Sequence, residues 1–280
     1  MQKLSAAGAE SKRVNERIGI IGLGTMGRVL ALGILAAGKE ASVIGSARSR
    51  ESAREAQALG IDADTDNRRV ARLANVIVLC VKPYQAQSVL EEIAPELGDE
   101  HVLISICAAI TIADLRQWSG GRAAIVRAMP NTPCLVGAGM TVLAPADGLP
   151  AEVIDAARRL FEPHGRTAVL EEALMDGVTG LSGCGPAYGY LIIESLAEAG
   201  VKLGIPRATA TLLAAQTMLG SARMVLERGQ HPAALKDEVT TPAGCTIDGL
   251  LALEDGKLRS TLIAGVVAAA ERSRTLRTGP

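Results

Sequence analysis

The stretch Ile18-Gly19-Ile20-Ile21-Gly22-Leu23-Gly24-Thr25-Met26-Gly27 decides the fold. A β-branched apolar run enters a GxGxxG turn, and an apolar helical stretch, MGRVLALGILAAG, leaves it. Strand, glycine turn and helix in that order open a βαβ unit that binds dinucleotides. Gly22 permits the tight turn, Gly24 lets the backbone approach a pyrophosphate, and Gly27 lets helix and strand pack closely. The helix start adds free N–H groups and positive dipole, so Gly22, Leu23, Gly24, Thr25, Met26 and Gly27 are candidate cofactor residues.

Outward from this turn, strand-like runs alternate with helical stretches. The runs are IGIIG (18–22), ASVIG (41–45), VIVLCV (76–81), HVLISI (101–106), AAIVRAM (123–129), GMTVLAP (139–145) and a weaker TAVL (167–170). Such alternation predicts right-handed crossovers and a mostly parallel sheet covered on both faces. The expected class is α/β: a doubly wound Rossmann-type NAD(P)-binding domain over residues 17–170, then an all-helical domain over 171–280 for dimerisation and substrate, with residues 1–16 as a disordered tail. Three or four helices are expected in the second part. One of them is apolar nearly all round from Thr209 to Leu219, which predicts burial against a second subunit.

Composition narrows the function. The chain has 280 residues, 48% hydrophobic and 21% charged with a formal net charge of −1, which suits a globular protein of about two domains. Only five aromatics (Tyr84, Trp118, Phe161, Tyr188, Tyr190) are present, too few for a nucleic-acid stacking platform. Five scattered cysteines spell neither a disulfide framework nor a CxxC metal site. Without an apolar leader or a membrane-length run, a cytoplasmic protein with no membrane and no nucleic-acid partner is expected.

Cofactor choice is set after the second strand, where an Asp or Glu would hold a ribose 2′-OH. The chain reads Val43-Ile44-Gly45-Ser46-Ala47-Arg48-Ser49-Arg50 there, with no carboxylate and with hydroxyl and guanidinium donors suited to a 2′-phosphate. NADPH is expected over NADH, with Ser46 and Arg48 as contacts; the alternative is a solvated helix start whose arginines pair with Glu51 or Glu55. Val81, Lys82 and Pro83 end the third run, Cys107 and Ala108 the fourth, and Asn131 lies in the Pro130–Pro133 loop after the fifth. Open α/β sheets bind ligands at these strand ends, so all six join the candidate cofactor set.

A second informative stretch is Val239-Thr240-Thr241-Pro242-Ala243-Gly244-Cys245-Thr246. Its Thr–Pro pair reads as a helix start, with Thr241 as N-cap and Pro242 in the first turn, where free amides suit a carboxylate. Thr246 then falls within reach of the bound anion; the plain alternative is a hydroxyl bonded back to its own helix. His101, His164 and His231 fit loop or capping roles, and Lys236-Asp237-Glu238 a solvated face.

Together, IGIIGLGTMG, CVKP, RAMPNTPCLVGAGM, LMDGVTGLSGCGPAY and HPAALKDEVTTPAGCTIDGL resemble the pyrroline-5-carboxylate reductase family over about Arg17 to Thr275. The resemblance implies NADPH-dependent reduction of 1-pyrroline-5-carboxylate to L-proline, the last step of proline biosynthesis. It also implies a homodimer or a larger assembly of dimers, with the site formed by one subunit's Rossmann domain and the other's Thr–Pro helix. Mapped onto this chain, the substrate residues are Val239, Thr241, Gly244, Cys245 and Thr246, with Thr246, the implied partner of the imine nitrogen, as the catalytic candidate. The chain departs from the family pattern at Ala109, Cys184, Ala243 and Cys245. Alternatives are reduction of a related cyclic imine, a β-hydroxyacid dehydrogenase, whose lysine base could only be Lys202 or Lys236 between 170 and 250 although neither has a convincing partner, and a dinucleotide sensor without catalysis.

Overall fold

The computed structural model describes residues 17–38 and 42–276; the expected tail, 1–16, lies outside them. Among the described residues one compact unit runs to Met175 and takes in Thr275 and Leu276, and the other is Asp176–Arg274.

The first unit runs β1 (Ile18–Ile21), α1 (Thr25–Ala36), β2 (Val43–Ser46), α2 (Arg50–Ala58), β3 (Asp62–Asp64), α3 (Asn67–Leu73), β4 (Val76–Leu79), α4 (Pro83–Ile93), β5 (Val102–Ser105), α5 (Ile112–Trp118), β6 (Ala124–Met129), β7 (Gly139–Pro145), α6 (Ala151–Phe161) and β8 (Gly165–Val169). Its eight-stranded sheet has the order β3-β2-β1-β4-β5-β6-β7-β8. All pairings are parallel except β6 with β7. The order turns back at β1, which pairs with both β2 and β4, and the crevice beyond that switch point is where such sheets bind ligands.

Period-two alternation builds a core on each face. Ile18, Ile20, Val78 and Ile104 point to the side covered by Leu30 of α1 and Phe161 of α6. Ile21, Ile77, Leu79 and Leu103 point to the side of Val70 from α3 and Leu90 from α4. Gly19 is needed on this second face, because a Cβ there would meet Val70 Cγ1 at 2.6 Å and Ala74 Cβ at 2.7 Å.

β3 and α3 do not appear in the sequence reading. β3 is three residues, Asp-Ala-Asp, without a β-branched side chain, so its own pattern carries no strand signal; its register with Ile44 to Ser46 of β2 makes it a strand. Asp66 then caps α3 by accepting from the Arg69 amide at 3.0 Å.

The helical unit contains the end of α7 (Met175–Val178), a π-helical turn (Thr179–Gly183), α8 (Gly185–Lys202), α9 (Arg207–Arg228), α10 (Pro232–Val239), α11 (Cys245–Asp255) and α12 (Leu258–Thr275). Five helices of eight or more residues replace the three or four expected, because a tight turn divides the last stretch. In the π-turn the Cys184 amide reaches back to the Thr179 carbonyl at 2.8 Å, and Gly180 lets the turn lie against α12, where a Cβ would be 2.6 Å from the Val266 carbonyl oxygen. Ala197 of α8 and Ala210 and Ala214 of α9 form a small core of their own. Within the apolar run of α9, Leu212, Leu213 and Leu219 remain 51–66% exposed in a single copy.

The turn between α10 and α11 corrects the expected helix start. The Gly244 amide donates to the Thr241 carbonyl at 3.0 Å, closing a β-turn with Pro242 and Ala243 at its centre, and Ala243 has a left-handed φ of 56°. Gly244, not Thr241, is the N-cap of α11, and Pro242 precedes the helix; a proline followed by a left-handed residue makes a turn, not a helical first turn.

His164 is 2% exposed, its ring lies on Gly33 of α1, and its Nε2 has no partner. Burial lowers its pKa below the ordinary 6.5, and the nearby backbone of Leu30 and Cys134 opposes this only in part. The unfolded chain therefore takes up this proton at a higher pH than the folded one, so stability falls as the pH drops below 6.5. Melting curves from neutral to mildly acidic pH are expected to decline more steeply for wild type than for His164→Gln; parallel curves would contradict this. Ala243→Gly, which relieves the left-handed alanine, is expected to raise stability by about 0.5–1 kcal/mol, read as a higher Tm.

Candidate functional site

A cleft of about 860 Å³ opens beyond the carboxyl ends of β1, β2, β4 and β5. The glycine turn forms one wall, and its three glycines do different things. Gly22 has φ 101°, and a Cβ there would lie 2.9 Å from the carbonyl carbon and oxygen of Cys80. At Gly24 a Cβ would meet nothing within 4 Å, which leaves open space for a ligand to approach the backbone. Gly27 faces the carbonyl oxygen of Gly22, so any side chain would push α1 off β1. Gly22, Leu23, Gly24, Thr25 and Met26 line the cleft, whereas Gly27 stands behind it as a packing residue.

Ser46, Arg48, Val81, Lys82, Pro83, Cys107 and Ala108 line the same cleft. Ser46 is 1% exposed and its hydroxyl donates to Asn67 Oδ1 at 2.7 Å, while Asn67 Nδ2 donates to Glu92 Oε2 at 2.8 Å. A carboxylate only accepts, so Glu92 turns the amide NH2 toward itself and leaves the amide oxygen to accept the hydrogen bond from Ser46. The expected free hydroxyl donor at Ser46 is therefore already engaged. Arg48 is exposed at the rim, and Glu55, one of its expected partners, instead pairs with Arg28 at 2.6 Å. No carboxylate lies in ion-pair range of Arg48 among the described residues.

Asn131 does not line the cleft. Its Oδ1 accepts from the Met140 amide at 2.9 Å and ties the Pro-Asn-Thr-Pro loop to β7, while its neighbour Thr132 reaches the cleft. Ala109, buried with φ 65°, also lies off the lining. Burial pushes the Cys107 thiol up to about 11, partly offset by hydrogen bonds with Ser105 and Val81, and Cys80 is raised too. Both are neutral thiols, so neither acts as a thiolate nucleophile.

Sequence reasoning missed Ser52, Thr65 and Asn67 on the lining. Thr65 and Asn67 follow the unrecognised β3; the Asp66–Asn67 pair, a cap signal, was the available clue.

In the helical unit, His231 caps α10 by accepting from the Ala233 amide at 3.2 Å, and Val239 ends that helix 66% exposed. Beyond the Thr241–Gly244 turn, the amides of Cys245, Thr246 and Ile247 begin α11 without intrahelical partners, as every helix start must. A Cβ on Gly244 would collide with Thr241 Oγ1, so glycine there keeps the Thr241 hydroxyl beside the helix start. Thr241, Gly244, Cys245 and Thr246 thus form one short cluster suited to an anion. Glu238 pairs with Arg228 at 2.8 Å and Lys236 with Asp237 at 3.6 Å, all four exposed, so the Lys-Asp-Glu run is a solvated face. Among the described residues no group of three or more His, Cys, Asp or Glu side chains is arranged to hold a metal ion. No described helix is long and apolar enough to cross a membrane.

Comparison with known proteins agrees with both halves. Residues 172–276 match the family model described as pyrroline-5-carboxylate reductase dimerisation, and residues 17–109 match NADP oxidoreductase coenzyme F420-dependent. The chain is 39% identical over 265 residues to the pyrroline-5-carboxylate reductase of Arabidopsis thaliana, covering 93% of this chain and 95% of that protein. It is 38% identical to the enzyme of Escherichia coli strain K12, over 94% of this chain and 99% of that one. Among solved structures, the Plasmodium falciparum pyrroline carboxylate reductase with NADP bound is 37% identical with a TM-score of 0.84, over 94% of this chain and 98% of that one. The Coxiella burnetii pyrroline-5-carboxylate reductase is 35% identical with a TM-score of 0.87, over 94% and 99%. A prephenate dehydrogenase from Aquifex aeolicus, 15% identical with a TM-score of 0.56, shares the fold. With its glycine cradle, its helical half and identity near 40% over nearly its whole length, the chain belongs to the pyrroline-5-carboxylate reductase family.

Proposed function

We propose that the chain reduces 1-pyrroline-5-carboxylate to L-proline with NADPH. The observation that carries the reading is the open backbone at Gly24: a cradle that a Cβ would fill, at a helix start, fits a pyrophosphate. NADPH supplies a hydride to the imine carbon, and the ring nitrogen gains a proton.

The residues divide the remaining work. Gly22 to Met26 hold the diphosphate by backbone N–H groups, and Arg48 meets the 2′-phosphate with a guanidinium free of a competing carboxylate. Val81 and Pro83 together with Cys107 and Ala108 give the nicotinamide end small, uncharged surroundings, with the cationic Lys82 beside them on the same lining. Gly27 and Asn131 act one step back, the first by packing α1 on β1 and the second by fixing its loop. The amides of Cys245 and Thr246 with the Thr241 hydroxyl anchor the substrate carboxylate, Gly244 keeps that hydroxyl in place, and Val239 bounds the ring.

Thr246 hydrogen-bonds the imine nitrogen and orients it. Its hydroxyl is far too weak an acid to be the proton source, so it relays a proton from water, and rate comes mainly from holding donor and acceptor in attack geometry. The apolar face left open on α9 fits a second copy of the chain, as a dimer or a larger assembly of dimers. Five free cysteines suit a reducing cytoplasmic setting.

NADPH oxidation followed by absorbance with 1-pyrroline-5-carboxylate tests the reading; no turnover with NADPH or NADH would remove it. Thr246→Ala is expected to lower kcat about 10- to 100-fold, the loss of one hydrogen bond to a charged group, with NADPH affinity unchanged. Arg48→Gln is expected to lower kcat/KM for NADPH about 10- to 100-fold and to leave NADH within about twofold. Equal losses for the two dinucleotides would refute the 2′-phosphate contact.

A further inference from the structure

We infer that Arg28 is a positioning residue that holds the Leu23–Gly24 peptide with its N–H toward the cleft; this rests on the dinucleotide reading above. Arg28 lies in the first turn of α1 and does not line the cleft. Its Nε donates to the Leu23 carbonyl oxygen at 3.0 Å, and its terminal nitrogen bonds the Ser52 carbonyl at 3.4 Å and Glu55 at 2.6 Å. The guanidinium is thus tied to α2 on one side and grips the glycine turn from behind with the other.

Peptide geometry gives this grip its consequence. No peptide bond is cis among the described residues, so the Leu23 carbonyl and the Gly24 N–H point in opposite directions. With the carbonyl pinned toward Arg28, the Gly24 N–H faces the other way. That amide has no protein partner among the described residues, and Gly24 itself lines the cleft. The Leu23 amide is already held by the Ser46 carbonyl at 2.9 Å, so the next peptide is the first one free to turn.

Glycine at position 24 makes such a turn cheap, because it accepts φ of either sign. A flipped peptide would aim a carbonyl oxygen, partly negative, at the diphosphate. Arg28 therefore removes a freedom that the glycine, needed for close approach, would otherwise introduce. Since the diphosphate is common to both dinucleotides, Arg28 acts equally on NADPH and NADH, unlike the rim residue Arg48.

The test compares wild type, Arg28→Met, Arg28→Lys and Glu55→Gln. Each is measured for KM and kcat with both dinucleotides, for dinucleotide Kd by fluorescence without imine, and for Tm. Arg28→Met is expected to raise KM and Kd about five- to tenfold for NADPH and NADH alike, with kcat and the KM for imine unchanged. Arg28→Lys, which can still donate to the Leu23 carbonyl, is expected to recover most of the loss, and Glu55→Gln to show a smaller rise of the same kind. A loss confined to NADPH, a fall in kcat with KM unchanged, or wild-type affinity in Arg28→Met would each overturn the inference. Wild type that binds neither dinucleotide would overturn the dinucleotide reading and this inference with it.

Discussion

Everything in the first unit depends on how closely α1 approaches β1. Gly27 rests directly against the Gly22 carbonyl, and Gly22 in turn sits under the end of β4 with a backbone angle that other residues resist. That contact brings a helix start, with its unpaired amides, to the point where the strand order reverses. Lose it, and the two-sided core, the cleft and the exposed amide of Gly24 lose their common reference.

Freedom at such a turn has to be removed elsewhere. Asn131 secures its loop through the Met140 amide, Ser46 is secured through Asn67 and Glu92, and Arg28 takes hold of the Leu23 carbonyl. Together these bonds decide the orientation of groups on the cleft and behind it. A site prepared in this way spends less of its binding energy on ordering itself.

The helical unit follows a different logic. Its own core is three alanines and their neighbours, and its large side chains on α9 remain outside. Leaving these leucines in water is unfavourable at roughly 25 cal/mol per Å² of apolar surface, so a second copy is a natural complement to the unit. The α11 start obeys a local rule instead: a Pro–Ala turn ends α10 and exposes fresh amides, with an alanine where a glycine would be relaxed.

Much of this was legible in the order of residues. The glycine turn, the short apolar strands and the over-apolar α9 are local patterns that follow from backbone sterics and hydrophobic period, whereas the family was legible only through the resemblance of its motifs. The tertiary structure decided β3, which is a strand only because β2 lies beside it, and with it the placing of Thr65 and Asn67 on the cleft. It also decided that Gly244 caps α11, that the Ser46 hydroxyl donates its hydrogen bond to Asn67, and that Glu55 is claimed by Arg28 rather than by Arg48 or Arg50. Partner choice among polar groups depends on distances between segments far apart along the chain, and sequence periodicity carries no measure of such distances.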